Sequence, residues 1–505
     1  MKVILAGYNL DADVINELKA AQPEREDVTP ETLSASYARI SRDPRPIDEI
    51  RRDARVEVER TRRSNKAIIF KMGHHSVAEH AVFNFDIIGA SRLAMEEVEH
   101  FRLCSYTEKS QRYITLEDDF VIPEEIQSSP HKSDFIAIIQ KQNAFYHKAF
   151  AALKDYVFEK YPELAADPKN HSLLEGWAKE DARYITPLAT EAQVGQTINA
   201  RNLELLFRRF ASSPLSEVRA LGREMFARVK DVAPSIILFT EANDYDQKTH
   251  AELTRYIQDT FTSYPTDAGG KTGERKNSVT LLQHTPGGDD VVLAALLQQG
   301  NIPGLAASRV ILSLGQTEKT ALMKEALKYM EFFDSAPRAF ELAHLQYEVI
   351  ISAACFGQLK RHRMATIIPQ SYDPDLGVTV PVSITETGLE NEFTGVINET
   401  NTAYGRIARQ LPQAAPYVLT NAHRRRVLVG VNLRELYHIA RLREDHHAQW
   451  DIRDLSQKMT ALAKEIMPVS CMLLCGKDSY AERYQEMFGA LPKCAEIPQP
   501  GGASG

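Results

Sequence analysis

Four clusters of the 505-residue chain hold side chains able to bind an anion, move a proton or hold a metal. The first is Gly73-His74-His75-Ser76-Val77-Ala78-Glu79-His80. Histidines and a glutamate could ligate a metal, but structural sites need tighter ligand spacing. The segment is therefore read as a polar turn whose His and Glu satisfy buried backbone groups. The second runs from His100 to Tyr113 and alternates basic, hydroxyl and carboxylate groups: Arg102, Ser105, Glu108, Ser110, Arg112. A guanidinium fork matches two phosphate oxygens, so this stretch suits a phosphate. A solvated polar loop is the plain alternative. The third is Arg361-His362-Arg363, which follows the apolar run 349–356 and could neutralise an anion, although such triplets are common on solvated surfaces. The fourth runs from Asn432 through Arg434, His438 and Arg441 to Arg443-Glu444-Asp445-His446-His447. Arg434, His438 and Arg441 share one helical face. His446-His447 beside Asp445 hints at a metal, but polar contacts to a ligand are preferred. The basic run His423 to Arg426 reads as a solvated face or an interface, and Cys471 and Cys475 as core thiols.

These clusters sit at the ends of periodic segments. Apolar spacing predicts helices over 93–101, 134–156, 203–210, 216–229, 305–333, 433–442 and 452–467. Alternation predicts strands at 81–87 and 345–349. The fold class is α+β. The chain also repeats itself. Asn199-Ala200-Arg201 resembles Asn432-Leu433-Arg434, and Val229 to Pro234 resembles Ala463 to Pro468, at nearly constant offset. The starts at Val3 and Val279 match as strand, polar turn and helix. Two tandem domains follow, 1–245 and 278–490, each expected to be a mixed sheet packed with helices. Residues 246–277 read as a linker with one short helix near 253–261, and 491–505 as a disordered tail.

The totals narrow the function. Apolar residues make up 43% and charged residues 25%, an ordinary globular balance. No run approaches the roughly 20 apolar residues of a membrane helix, so no membrane partner is expected. The N-terminus reads as a strand rather than a signal peptide, and five cysteines give no disulfide framework, which together point to the cytoplasm. A net charge of −8 gives no general help in binding nucleic acid, so a phosphorylated ligand needs a local basic cluster.

Taken together, the motifs resemble the flavin-dependent thymidylate synthases, whose signature lies close to RHRxxSxNExSxRY with a second feature NxRxLxxFxxLRxxxxAQxEIR. The first half matches at Ser105, Glu108, Ser110, Arg112 and Tyr113, in GHxxxxEH (His74, Glu79, His80), and in ARxxxP at Arg183. It departs at His100-Phe101-Arg102 and lacks the LRxxxxAQ ending. The second half keeps Gln358, Arg361-His362-Arg363, Asn432, Arg434, His438, Arg443, His447 and Gln449. There the serine–arginine part is lost and Pro416 replaces the ARxxxP arginine. The losses are complementary.

The resemblance implies methylation of dUMP to dTMP, with FAD as cofactor and NADPH and methylenetetrahydrofolate as co-substrates, at a composite site between the halves. It implies no enzyme nucleophile and no metal. It assigns Arg443 a catalytic role, stabilising charge on the pyrimidine ring. Ser105, Glu108, Ser110, Arg112, Tyr113, Arg183, Gln358 and Arg361 would bind the nucleotide. His74, Arg361, His362, Arg363, Asn432, Arg434, His438 and His447 would contact the flavin. A family tetramer built of fused pairs implies a homodimer. Two other readings stay open: one-carbon transfer to C5 of another pyrimidine nucleotide, and a non-catalytic, degenerate nucleotide- or flavin-binding protein.

Overall fold

The computed structural model describes every residue except 10–11, 24–26, 40–42, 113, 115, 262–277 and 495–505. Tyr113, the stretch 262–277 and the end of the expected tail therefore lie outside the described residues. The chain forms two compact units: Met1–Gly270 with Pro381–Asn421, and Lys271–Val380 with Ala422–Gly505. Residues 381–421 thus belong to the second repeat in sequence but to the first unit in packing.

The first unit is built on a four-stranded sheet. Its strands are β1 (Lys2–Gly7), β2 (Val82–Ser91), β3 (Cys104–Glu108) and β4 (Glu191–Asn199), in the order β1-β2-β4-β3 and antiparallel throughout. Successive strand side chains point to opposite faces. Hence Phe83, Phe85 and Ile87 of β2 bury one face together with Val194 and Ile198 of β4. Helices Ala200–Ala211 and Ser216–Val229 are amphipathic, and each buries its apolar stripe: Leu203, Leu206, Phe207 and Phe210 on one, Val218, Leu221, Met225 and Val229 on the other. The long helix Lys132–Lys160 packs on His171–Ala182 and on Glu390–Ala408, with Phe145 and Phe393 edge to face at 5.9 Å.

The second unit repeats the plan with β5 (Ser278–His284), β6 (His344–Ser352), β7 (Thr366–Tyr372) and β8 (Arg424–Asn432), ordered β5-β6-β8-β7 and antiparallel. Leu345, Tyr347, Val349 and Ile351 alternate inward, opposite Val427, Val429 and Val431. Helices Leu433–Arg443 and Trp450–Ile466 close this core, which also takes in Cys471 and Cys475. Burial pushes both thiols up, to about 11 for Cys475.

Local chemistry explains the departures from the sequence reading. The single helix expected over 305–333 is two, Gly304–Ser313 and Gln316–Leu327. Glu318 reaches back to accept from the Gly315 amide at 2.8 Å, which starts a second helix there. The helix expected near 253–261 begins earlier, at Asp244, where Asn243 Oδ1 accepts from the Asp246 amide at 3.1 Å. Helices Glu31–Arg39, Ile47–Val56 and Val58–Lys66 were not read from the sequence because their composition is strongly polar. Among the described residues, no helix is long and apolar enough to cross a membrane.

Candidate active site

In the second unit, two helices start at opposite ends of neighbouring strands. Ser352 ends β6 and caps Ala353–Leu359, accepting from the Cys355 amide at 2.9 Å, and its hydroxyl donates to Asp451 at 2.5 Å. Asn432 ends β8 and caps Leu433–Arg443, accepting from the Glu435 amide at 2.8 Å. In the antiparallel register, Ser352 lies opposite Arg424 and His344 opposite Asn432. The C-terminal ends of the two helices meet: Arg443 Nε donates to His362 Nε2 at 2.9 Å, and Nη2 to the Gln358 carbonyl at 3.3 Å.

This contact fixes the imidazole. A guanidinium cannot accept, so His362 Nε2 is the acceptor and its proton sits on Nδ1, 3.5 Å from Glu435 Oε1. His362 is 3% exposed. Burial, then the charges of Arg443 and His438, hold it well below the ordinary histidine value. Burial likewise pushes Glu435 up. Beside them, Gln358 Nε2 donates to Gln449 Oε1 at 3.1 Å, while the buried Gln358 Oε1 has no hydrogen-bond partner among the described residues.

The remaining flavin candidates of this unit differ in exposure and in their partners. Arg361, Arg363, His438 and His447 are exposed. His438 lies edge-on to His362 at 5.9 Å, and the His447 ring is tilted by 42° against that of His446 at 3.7 Å. Arg434 is held by the chain itself, through the Ala336 carbonyl at 2.7 Å and Glu341 at 2.8 Å. Asp445, His446 and Asp478 come close enough to share a cation, yet Lys477 already pairs with Asp445 at 2.8 Å.

The first unit gathers a different set. β3 carries exposed Ser105 and half-buried Glu108 into the turn where the Ser110 hydroxyl accepts from the Arg112 amide at 3.1 Å. Arg112 pairs with Glu180, near the end of helix His171–Ala182. The next turn of chain delivers Arg183, which is 7% exposed. Its Nε and Nη2 have no hydrogen-bond partner among the described residues. Burial comes first among the influences that lower it, and the like charges of Arg112 and Arg92 act the same way. Ser110, Arg112 and Arg183 are therefore brought together around Glu180. His74 is exposed and immediately precedes the turn His75–His80. In that turn Glu79 pairs with Arg201 at 2.5 Å rather than with backbone groups.

Glu180, Glu435 and the bond between Gln449 and Gln358 were missed in the sequence. Each lies far from its partner along the chain, although Gln358 and Gln449 both stood among the recognised motif residues. Asp451 escaped for the same reason. Its counterpart Glu217 accepts from the Ser91 amide, the Ser91 hydroxyl and Tyr417, each at 2.7 Å.

The architecture is a duplicated α+β unit, and in the second copy the helices capped at the strand ends lead to an arginine–histidine pair. The family model for thymidylate synthase complementing protein matches residues 25–235 and again 280–469. The chain belongs to that family. It is 32% identical over 217 residues to the flavin-dependent thymidylate synthase of Clostridium tetani, covering 42% of this chain and 82% of the relative. A UPF0159 protein of Thermoplasma acidophilum is 22% identical over 474 residues, 86% of this chain and 92% of the relative. Among solved structures, the Helicobacter pylori flavin-dependent thymidylate synthase complexed with FAD and dUMP matches at 19% identity and TM-score 0.29, covering 48% of this chain and all of that one.

Proposed function

We propose that the protein is a flavin-dependent methyltransferase that converts dUMP to dTMP, using methylenetetrahydrofolate as carbon donor and NADPH as reductant. One observation carries the reading. Among the buried polar atoms without partners in the described residues are Arg183 Nε and Nη2 and Gln358 Oε1, which belong to residues expected to hold the nucleotide. An unmade buried hydrogen bond costs about 1–3 kcal/mol, so such groups point to a ligand that completes them. A nucleotide phosphate supplies acceptors for Arg183, and the N3–H of uracil supplies a donor for Gln358.

The donor set also fits FAD. Arg361, Arg363, His438 and His447 are exposed side chains able to donate N–H bonds, a chemistry suited to a diphosphate and to the polar edge of a flavin ring. When bound, the flavin supplies the hydride of the reaction. The chain supplies binding and electrostatics. Arg443, oriented by neutral His362, stabilises negative charge on the pyrimidine ring. Arg112, Arg183 and Ser110 orient the phosphate. Asn432 orients the NxR helix and Arg434 braces it. The two repeats keep complementary sets of the family's motif residues, and two chains pair as a homodimer.

Spectral titration of the purified protein with FAD and dUMP tests this. Arg183→Met should lose dUMP binding and keep FAD. Arg443→Ala should keep the fold and lose turnover of dUMP. Full nucleotide binding by Arg183→Met, or near-normal turnover by Arg443→Ala, would remove the assignment. Running the same assay with UMP and with cytidine nucleotides separates the dUMP reading from its closest rival.

A further inference from the structure

We infer that the first unit's equivalent of the His362–Arg443 pair is closed by an aromatic wedge, Phe101 against Phe210, so that each chain binds one flavin rather than two. This rests on the flavin reading above and adds the number of sites to it. The equivalence comes from the chain itself. Ser91 caps the helix after β2 as Ser352 caps the helix after β6. Ten residues beyond these serines stand Phe101 and His362. Asn199 caps the helix after β4 as Asn432 caps the helix after β8. Eleven residues beyond these asparagines stand Phe210 and Arg443.

The wedge is a packed feature. Phe101 is 4% and Phe210 1% exposed, and their rings meet edge to face at 6.2 Å. The Arg209 guanidinium lies 5.3 Å from the Phe101 ring centre. Gly222 makes room for the pair, because a Cβ there would stand 2.9 Å from the Phe210 Cβ. The neighbouring carboxylates fix the counterpart of Gly222. Glu217 and Asp451 each accept from a strand-ending serine, and five residues after them come Gly222 and Ser456. Ser456 keeps its side chain and donates to Glu444 at 3.1 Å. A glycine therefore accompanies the phenylalanine in one unit, and a serine accompanies the arginine in the other.

The chemistry follows. The polar edge of a flavin needs donors and acceptors in exchange for its water, and phenyl rings offer neither. The first unit keeps Arg112, Arg183 and Ser110 for an anion and gives up the polar pair whose histidine is the expected flavin contact. The second keeps the pair and gives up the ARxxxP arginine.

Equilibrium titration of the full chain with FAD, read by flavin absorbance, measures the number directly. One FAD per chain is expected. Two per chain would overturn the wedge while leaving the flavin reading standing, and none would overturn that reading and the wedge with it. The double variant His362→Phe, Arg443→Phe, which copies the first unit's arrangement into the second, should lower bound FAD at least tenfold. Retention of one equivalent would refute the inference. Phe101→Leu should leave the count at one, and a fall in bound FAD in that variant would also refute it.

Discussion

Arg183 offers a test in which stability and function should move in opposite directions. The guanidinium is buried, two of its nitrogens have no partner among the described residues, and its neighbour Glu180 is already paired with Arg112. Replacing Arg183 with methionine keeps most of the volume and strands no acceptor. Asn421 Nδ2 donates to the Arg183 carbonyl at 3.2 Å, a backbone acceptor that survives the change. Replacing a buried ion pair with well-packed apolar groups is often neutral or stabilising by about 1–4 kcal/mol, and a buried charge without hydrogen bonds carries the same kind of desolvation cost. The unliganded variant should therefore resist urea better than the parent by an amount in that range. Losing one charged partner of a desolvated phosphate costs about 2–5 kcal/mol, a roughly 30- to 4000-fold rise in Kd for dUMP. Urea unfolding without ligand and calorimetric titration with dUMP read the two quantities separately. A variant destabilised by more than about 1 kcal/mol whose Kd for dUMP stays within threefold of the parent would refute the reasoning.

Four further outcomes follow from the same geometry. Arg443→Ala should lower kcat by about 10²–10³, as removal of one donor from developing charge does, and should cost about 1–3 kcal/mol of stability by leaving His362 Nε2 unpaired; steady-state kinetics and melting measure both. Tyr417→Phe removes one hydrogen bond to the buried Glu217 carboxylate and should cost about 1.5–3 kcal/mol in urea unfolding. Gly222→Ala should cost about 1–3 kcal/mol through overpacking against the Phe210 Cβ, whereas Gly288→Ala should cost less in the same assay, because there the clash is with the flexible end of Met467. His362 titrates well below its ordinary value of 6.5 in the folded protein, so its contribution is fully present above 6.5 and is lost as pH falls toward the depressed folded value. Between pH 7.5 and 5 the parent should lose stability with a slope that His362→Gln reduces by up to about 1.4 kcal/mol per pH unit; equal slopes in the two proteins would count against the assignment.

Much of this arrangement could be read before any coordinates. The alternation of Phe83, Phe85 and Ile87 placed β2, and Asn199 and Asn432 announced two helices because a side-chain oxygen is needed there to cap the first turn. Helical spacing found Ser216–Val229 to the residue. What stayed hidden depends on contacts that no local pattern encodes. Glu180 lies 68 positions from Arg112, and Glu435 lies far from His362 along the chain. The helix Glu390–Ala408 went unread because its buried face, Phe393, Val396, Ile397, Thr400, Ala403 and Ile407, is diluted by asparagine, threonine and glycine. Polar residues in the helices before Gly73 masked their periodicity in the same way. The change from His–Arg to Phe–Phe was visible as letters, but its meaning needed Gly222, whose missing side chain matters only once Phe210 is packed against it.

The placement of residues 381–421 bears on how this protein can be taken apart. Helix Glu390–Ala408 comes from the second repeat, yet Gln142 of the first donates to Thr400 and to the Val418 carbonyl, both at 2.8 Å. A fragment ending between the repeats would expose the apolar flank of Lys132–Lys160, and the complementary fragment would carry a greasy helix with nothing to cover it. Proteolytic nicking anywhere in 262–277 should thus yield two pieces that co-purify and separate only under denaturant. Gene dissection at the apparent repeat boundary would fail for a reason the repeat pattern conceals: the duplicated segments share one folding unit, so inheritance by halves is no longer open to them.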